Sequence, residues 1–268
     1  MSAGAKRWPE SVSWTAAIRE LAGILVSTFQ SLVGSTARNV DYVTGQINAA
    51  NQSATANVNA ATTTTVTATA AAIGNSYSMN AAAAAVADLT QGNSGTGAST
   101  LNSVLTTINT VTQTAASIGN SASFTSPAAG LDLSIDQNNS GDQTATLVSL
   151  GTSVSNATST AAGLGNSLSV EMPGGSVITA AQRNSGTVIA DLTGTIGAAV
   201  TSTGTAAAIG NTYSLTSLNS GLAGNVSSSV NQWNTAGQIA KISTVISNST
   251  TAALTAAAIG NTVSINVQ

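Results

Sequence analysis

The sequence predicts an all-β fold, a β-solenoid of five repeats of about 46 residues with about two coils each, preceded by a short N-terminal helix. Three observations predict this fold. The chain repeats itself at a nearly fixed interval, each repeat ends on an alternating pattern typical of a strand, and large side chains are scarce. Only 6% of the 268 residues are charged and 3% are aromatic, whereas 42% are hydrophobic. A narrow interior filled by small residues suits this composition.

The clearest repeat is a decapeptide of the form Ala-Ala-small-(Ile/Leu)-Gly-Asn-(Ser/Thr)-apolar-Ser-apolar, which occurs five times. Its glycines stand 45, 46, 45 and 50 residues apart. Because Gly and Asn both tolerate turn conformations, we predict a corner at each copy. Stacked asparagines would form a ladder between coils. The pairs are Gly74 and Asn75, Gly119 and Asn120, Gly165 and Asn166, Gly210 and Asn211, and Gly260 and Asn261.

A second motif, Gln-x-Asn followed by Ser or Thr, precedes each of the last four decapeptides, with a degraded copy at Gln46. Its Gln lies 28 residues before the motif glycine in all five copies, while the step from glycine to the next Gln varies from 17 to 22. One half of the repeat thus has a fixed length and the other absorbs insertions, as in a stacked coil with a loop on one face. The residues are Gln91 and Asn93, Gln137 and Asn139, Gln182 and Asn184, and Gln232 and Asn234.

The residues after each Gly-Asn pair predict a strand. Apolar residues such as Tyr77 and Met79 alternate with a fixed serine, and a period of two indicates one buried face. A unit of about 46 residues suits two coils of about 23, stacked about 4.8 Å apart. Alanine runs such as 83–87 favour helix, but the density of Thr and Val and the recurrent Gly favour strand. The repeats are predicted at 46–79, 91–124, 137–170, 182–215 and 232–265, within a solenoid domain of residues 42–268.

Residues 1–41 differ in composition, because they hold seven of the fifteen charges and two of the three tryptophans. Apolar residues three and four apart predict an amphipathic helix for attachment or capping. The competing interpretation is an export signal, with an apolar region at 22–33 and small residues at 35–37, although Arg19 and Glu20 interrupt its start. The candidate assembly residues of this segment are Trp8, Trp14, Leu21, Leu25 and Phe29.

The sequence lacks residue types on which many enzymes depend. It contains neither cysteine nor histidine, which excludes disulfides, zinc sites built on those residues and His-dependent catalysis. We therefore expect no catalytic activity, no cofactor and no metal site. The net charge of −3 disfavours nucleic acid, which is held by clustered Lys and Arg, and no stretch reaches the roughly 18 apolar residues of a membrane span.

Two weaker motifs suggest ligands. Residues 136–141 faintly resemble a calcium loop, but Leu147 stands where such a loop has Glu, so an ordinary turn is favoured. A Thr-x-Thr pair, as at Thr112, precedes four of the five decapeptides and resembles ice-binding β-helices. At one pair per two coils the array would be too sparse. Tyr77 and Tyr213 suit glycan stacking, yet apolar residues replace them in other copies, which favours core packing.

The paired motifs Gln-x-Asn-Ser-Gly and Ala-Ile-Gly-Asn-Ser-x-Ser resemble repeats of surface adhesins exported by the curli-like route, and they are similar to those of the holdfast anchor protein D family of stalked alphaproteobacteria. The resemblance covers residues 46–268. It implies a cell-surface β-solenoid that helps to anchor adhesive polysaccharide to the outer membrane, and it brings no catalytic residues. Residues 1–41 depart from it, because they lack a clear export signal.

These observations predict an extracellular structural or adhesive protein at the cell surface. Its subunits would stack end to end, because an open terminal coil leaves backbone groups unpaired. Self-association is the expected partnership, with surface polysaccharide or outer-membrane anchor proteins as further partners. The main alternative is the shaft of a phage or virion fibre attached through residues 1–41. An ice- or glycan-binding solenoid is a less favoured alternative.

Overall fold

The computed structural model describes residues 24–34, 40–82, 84–127, 130–218 and 226–267, where all regular structure is β-strand. Short strands of 9 residues alternate with long strands of 29–31 residues, and the last long strand is divided in two. The strands are β1 (Ile24–Gly34), β2 (Val40–Asn48), β3 (Gln52–Ala81), β4 (Ala85–Asn93), β5 (Gly97–Thr125), β6 (Leu131–Asn139), β7 (Gln143–Pro173), β8 (Ser176–Asn184), β9 (Val188–Leu218), β10 (Val226–Asn234), β11 (Gln238–Ile246) and β12 (Ser249–Val267).

The strands form two parallel sheets. The long strands follow the order β1-β3-β5-β7-β9, and β9 then pairs with both β11 and β12, while the short strands follow the order β2-β4-β6-β8-β10. Each turn of the chain therefore adds one short and one long strand to the growing edges of the two sheets. This winding, with parallel strands of successive turns in register, confirms the predicted all-β solenoid.

The number of coils per repeat differs from the prediction. Gln91 pairs with Gln137 and Thr112 with Thr158, so the lateral neighbour of each residue lies one whole repeat away. A repeat therefore forms one coil, and the expectation of two coils was wrong. The physical reason is that the long strand bends and continues, which lets one repeat supply both layers of a flattened coil.

The helix predicted within residues 1–41 is not found where the structure describes that segment. Residues 24–34 form β1, which pairs in parallel with residues 71–81 of β3. Leu25 and Phe29 lie on this strand, whereas Trp8, Trp14 and Leu21 lie outside the described residues. Tertiary pairing with the edge of β3 overrides a weak helical periodicity in a segment rich in β-branched residues.

The interior consists of three apolar clusters that run along the stack. The first lies between the beginning and the middle of the long strands, the second at the bend between them, and the third between the end of the long strand and the short strand. Representative pairs are Leu101 with Ala115, Leu105 with Val111, and Phe124 with Leu133. The alternation predicted after each Gly-Asn pair is confirmed in the inner coils, since Phe124, Leu168 and Tyr213 are buried.

Candidate functional site

The structure brings the decapeptide asparagines together in one ladder across five coils. The Nδ2 group of each donates to Oδ1 of the next at 2.7–2.8 Å. The members are Asn75, Asn120, Asn166, Asn211 and Asn261. Within the inner coils these side chains are fully buried, so the repeated amide satisfies its donor and acceptor on its own copies.

The second motif forms two more ladders in the short-strand sheet. Its glutamines are linked from Nε2 to Oε1 at 2.7 Å, and its asparagines from Nδ2 to Oδ1 at 2.6–2.8 Å. The glutamines are Gln46, Gln91, Gln137, Gln182 and Gln232, and the asparagines are Asn48, Asn93, Asn139, Asn184 and Asn234. Gln46 and Asn48, the degraded first copy, thus take part like the others.

The ladders also join the two layers of each coil. Asn120 Nδ2 donates to the carbonyl of Asn138 at 2.9 Å, and Gln137 Nε2 donates to the carbonyl of Ser167 at 3.0 Å. The decapeptide asparagines and the glutamines therefore bond both along the stack and across it, which fixes the register of the coils and the spacing of the layers. The asparagines of the second motif bond along the stack and to the carbonyl two residues further on, as Asn139 does to Gly141. Such buried networks specify one arrangement because an unpaired member is costly.

The motif glycines are required because a side chain would not fit there, and not because they adopt a turn conformation. Gly175 is the one glycine with positive φ among the described residues, so the turn conformation predicted at the Gly-Asn pairs is wrong. The pairs lie inside the long strands. A Cβ on Gly119 would overlap Asn139 Oδ1 and the backbone oxygen of Gly165. Glycine is needed because the asparagine of the facing layer approaches the backbone closely.

Sequence reasoning missed several buried polar residues that support the ladders. Gln143 is fully buried, and its Oε1 accepts a hydrogen bond from Ser117 Oγ at 2.9 Å. Gln52 and Gln238 lie in the same column, with Gly97 and Val188 in the coils between. The glutamine therefore recurs in every second coil, four residues after the motif asparagine, and this spacing could have indicated it. β1 was also missed, because residues 24–34 carry no copy of the decapeptide and the repeat therefore gave no signal for this strand.

Tyr77 and Tyr213, the two tyrosines suited to glycan stacking, lie in the core. The rings of Tyr77 and Phe124 are 5.3 Å apart, and Tyr213 Oη lies 2.9 Å from Ser228 Oγ. Burial raises the pKa of Tyr213, against the smaller effect of this hydrogen bond. Burial also raises the pKa of Tyr77, whose hydrogen bond to Thr44 acts in the opposite direction. Core packing therefore accounts for both residues.

The outer face of the short-strand sheet carries one polar row. Arg183 Nη1 lies 2.7 Å from Asp136 Oδ1, and the Arg183 guanidinium lies over the ring of Trp233 at 5.3 Å. Asp136 and Arg183 also line a shallow groove of about 330 Å³ that includes Gly92 and Asn138. The carboxylate that began the faint calcium motif thus pairs with an arginine of the next coil.

The outer face of the long-strand sheet places the Thr-x-Thr pairs in register. Thr67 pairs with Thr112, Thr112 with Thr158, and Thr158 with Thr203. Because each repeat is one coil, the pairs recur in every coil from the first to the fourth. The expectation that they would be spaced two coils apart was wrong.

The coil formed by β10, β11 and β12 is an open edge of the stack, since no described strand pairs with its outer side. Side chains that face the interior are half-exposed in this coil, whereas the corresponding side chains of the preceding coil are buried. Val263 is 51% exposed and its neighbour Tyr213 is 0% exposed, while Ile265 is 53% exposed and its neighbour Leu215 is 1% exposed. This edge presents both apolar side chains and unpaired backbone groups.

Comparison with known proteins identifies a family. The family model described as holdfast attachment protein D matches residues 29–267. The match begins inside β1 and includes all of the later strands. No curated protein and no solved structure matches the chain. Among the described residues, no helix is long and apolar enough to span a membrane.

Proposed function

The chain belongs to the holdfast attachment protein D family, and on this premise we propose that it is an extracellular structural protein whose solenoids join end to end at the holdfast. Family membership implies an adhesion-related protein associated with the cell surface. It favours the surface-adhesin interpretation over the virion-fibre alternative. The proposal assigns the chain a mechanical and not a catalytic role, in keeping with a sequence that lacks histidine and cysteine.

The observation that carries the end-to-end proposal is the open edge of β10, β11 and β12. Edge strands with free N–H and C=O groups pair readily with another chain unless they are covered or charged. Here the inward residues Val263 and Ile265 are half-exposed, and Lys241 is the one basic residue among the described residues of this coil. A second copy that adds a parallel strand would bury these side chains.

The asparagine ladder gives such an addition a defined register. In the preceding coil Asn211 Nδ2 donates both to the carbonyl of Trp233 at 2.8 Å and to Asn261 Oδ1 at 2.7 Å. Asn261 Nδ2 makes one longer bond, to the carbonyl of Gln232 at 3.3 Å. At the opposite end of the stack Thr28 pairs with Asn75 and takes the ladder position, so a second copy joined end to end would offer Asn261 a hydroxyl oxygen in place of an amide.

Sedimentation of the purified full chain over a range of concentrations tests the proposal, with cryo-electron microscopy to show the form of any assembly. We expect linear species that lengthen with concentration. Val263→Lys with Ile265→Lys should give monomers, because inward-pointing charges on an edge strand oppose pairing. Val200→Lys, at a 55% exposed position away from this edge, is the matched control and should still assemble.

A wild-type chain that stays monomeric at high concentration would contradict end-to-end joining. Equal assembly by the edge variant and the Val200→Lys control would also contradict it. Closed trimers in place of linear species would favour the intertwined arrangement of a fibre shaft.

We also propose that the polar row of the short-strand sheet contacts adhesive polysaccharide. A half-exposed indole beside an arginine, a carboxylate and a shallow groove is chemistry suited to a sugar ring, which offers an apolar face and hydroxyl groups. Trp233 is 52% exposed. Trp233→Ala should elute earlier than wild type from a column of immobilised holdfast polysaccharide, and Val245→Ala, another exposed position of the same coil, should not. Equal elution of the two variants would refute the contact.

A further inference from the structure

One outer face of the solenoid carries a nearly uniform array of threonines. This face, which we call the threonine face, is formed by outward residues in the middle of the long strands, and its three columns run along the stack in register. Asn156 and Ala253 are its two exceptions to threonine. The columns are Thr65, Thr110, Asn156, Thr201 and Thr251; Thr67, Thr112, Thr158, Thr203 and Ala253; and Thr69, Thr114, Thr160, Thr205 and Thr255. All of these residues are exposed or half-exposed.

The uniformity of the threonine face is not a requirement of the fold. The interior column directly behind it consists of Ala68, Gln113, Ser159, Gly204 and Leu254. Interiors ordinarily constrain residues more tightly than solvent-facing surfaces do. Threonine fills thirteen of the fifteen outward positions, whereas of the inward columns in the same segment only the alanine column that begins at Ala70 is uniform. This contrast indicates that something outside the protein sets the identity of the outward residues.

The opposite outer face provides a control within the same molecule. Its outward columns have the same strand geometry but no regular composition. One of them consists of Thr55, Thr100, Thr146, Asp191 and Lys241. Strand propensity favours threonine equally on either outer face, so propensity alone does not explain an array on one face only.

The geometry of the array selects the kind of ligand. Threonines repeat about 4.8 Å apart along the stack and about 6.7 Å apart along each strand, as the dimensions of a parallel sheet require. The three columns carry no charged residue. A ligand that matches every coil must itself be periodic in two dimensions, and these two distances are close to the oxygen repeats on faces of hexagonal ice.

We propose that the threonine face binds ice. Each threonine carries a methyl group and a hydroxyl at these regular spacings, so that hydroxyls can hydrogen-bond to ordered water while methyl groups occupy the gaps between water molecules. Binding of this kind needs no charge and no deep pocket, in keeping with the composition of the face. The proposal is independent of end-to-end joining, because a single solenoid already presents four complete Thr-x-Thr rows.

Thermal hysteresis and partition into slowly growing ice test the proposal on the purified full chain. We expect the wild type to stop ice growth just below the melting point and to be enriched in the ice fraction. Thr112→Lys with Thr158→Lys should lose both properties, because the side chains protrude from the lattice. Thr100→Lys with Thr146→Lys, which places the same charges in the same two coils on the opposite face, should keep both.

A third variant guards against misfolding of the lysine variant. Thr112→Ser with Thr158→Ser removes two methyl groups and keeps the hydroxyls, and we expect reduced hysteresis with an unchanged circular dichroism spectrum. The proposal is overturned if ice in a solution of the wild type grows as soon as the temperature falls below the melting point. It is also overturned if the lysine variants on the two faces are equally active, or if the serine variant keeps full hysteresis.

Discussion

At the scale of single residues, close approach between layers decides which side chains the fold accepts. Gly119 faces the Asn139 amide and the backbone of Gly165, whereas nothing lies within 4 Å of a Cβ built on Gly92. Both glycines lie in strands. The two therefore differ in their surroundings and not in their secondary structure, which makes them a matched pair.

Gly119→Ala should lower the free energy of unfolding by about 1–3 kcal/mol, because the added methyl group has no room and the ladder must shift. Gly92→Ala should be neutral or stabilise the protein by up to about 1 kcal/mol, since alanine restricts the unfolded chain. Urea unfolding monitored by circular dichroism measures both. Equal destabilisation by the two substitutions would show that close approach is not the reason for glycine at position 119.

The buried tyrosines predict a loss of stability in alkali. Burial raises the pKa of Tyr213 in the folded state, so above a pH of about 10 the unfolded chain ionises while the folded chain stays neutral. The free energy of unfolding should therefore be constant through neutral pH and fall as the pH rises beyond this value. Tyr213→Phe should make that fall shallower, as unfolding curves from pH 7 to pH 11 would show. An unchanged slope would contradict the assignment.

The ladders were predictable from the sequence because their residues recur. Identical side chains at the repeat interval must meet if successive coils stack in register, whatever path each coil takes. Asn120 and Gln137 were therefore placed in ladders without knowledge of the cross-section. Gln143 was not, because its column holds glutamine only in every second coil, at Gln52, Gln143 and Gln238, so it does not belong to a motif that recurs in every repeat.

At the scale of elements, the long strand is the feature that sequence patterns describe least well. Typical strands have about 5–6 residues, and β7 has 31. Its burial alternation changes phase near residues 152–153, near residues 155–156, and again at Gly165 and Asn166, where two adjacent residues are both outside the buried class or both buried. Each phase change resembles the end of a strand, so the pattern predicted several short strands and two coils where one bent strand makes a single coil.

Hydrogen exchange should distinguish strands with two neighbours from those at an open edge. β5 and β7 pair on both sides, whereas β12 pairs with β9 alone. In the monomeric Val263→Lys and Ile265→Lys variant, the amide protons of β5 and β7 should exchange most slowly. The amide protons of β12 that point away from β9 have no partner and should exchange fast. In assembled wild type, protection of β12 should rise. Uniform exchange across the three strands would contradict this topology.

At the scale of the whole molecule, the repeat length and the coil length are the same quantity. Removal of residues 137–181 deletes one coil and brings Gln182 into register with Gln91, so the shortened chain should keep a β-sheet spectrum and cooperative unfolding. Removal of residues 143–165, about half a coil, should abolish the ladders and yield an unfolded or aggregated chain. Circular dichroism and urea unfolding of both deletions check this. A half-coil deletion that still folds would support two coils per repeat and contradict one.

The parallel stacking has a mechanical consequence for the proposed role at the holdfast. The hydrogen bonds between coils run along the stack, so tension along that direction loads them a few at a time from one end. Each coil that peels away frees about 46 residues, or about 150 Å of extended chain, while the remaining coils stay intact. Stepwise lengthening of this kind would let the tether absorb a sudden pull without detaching.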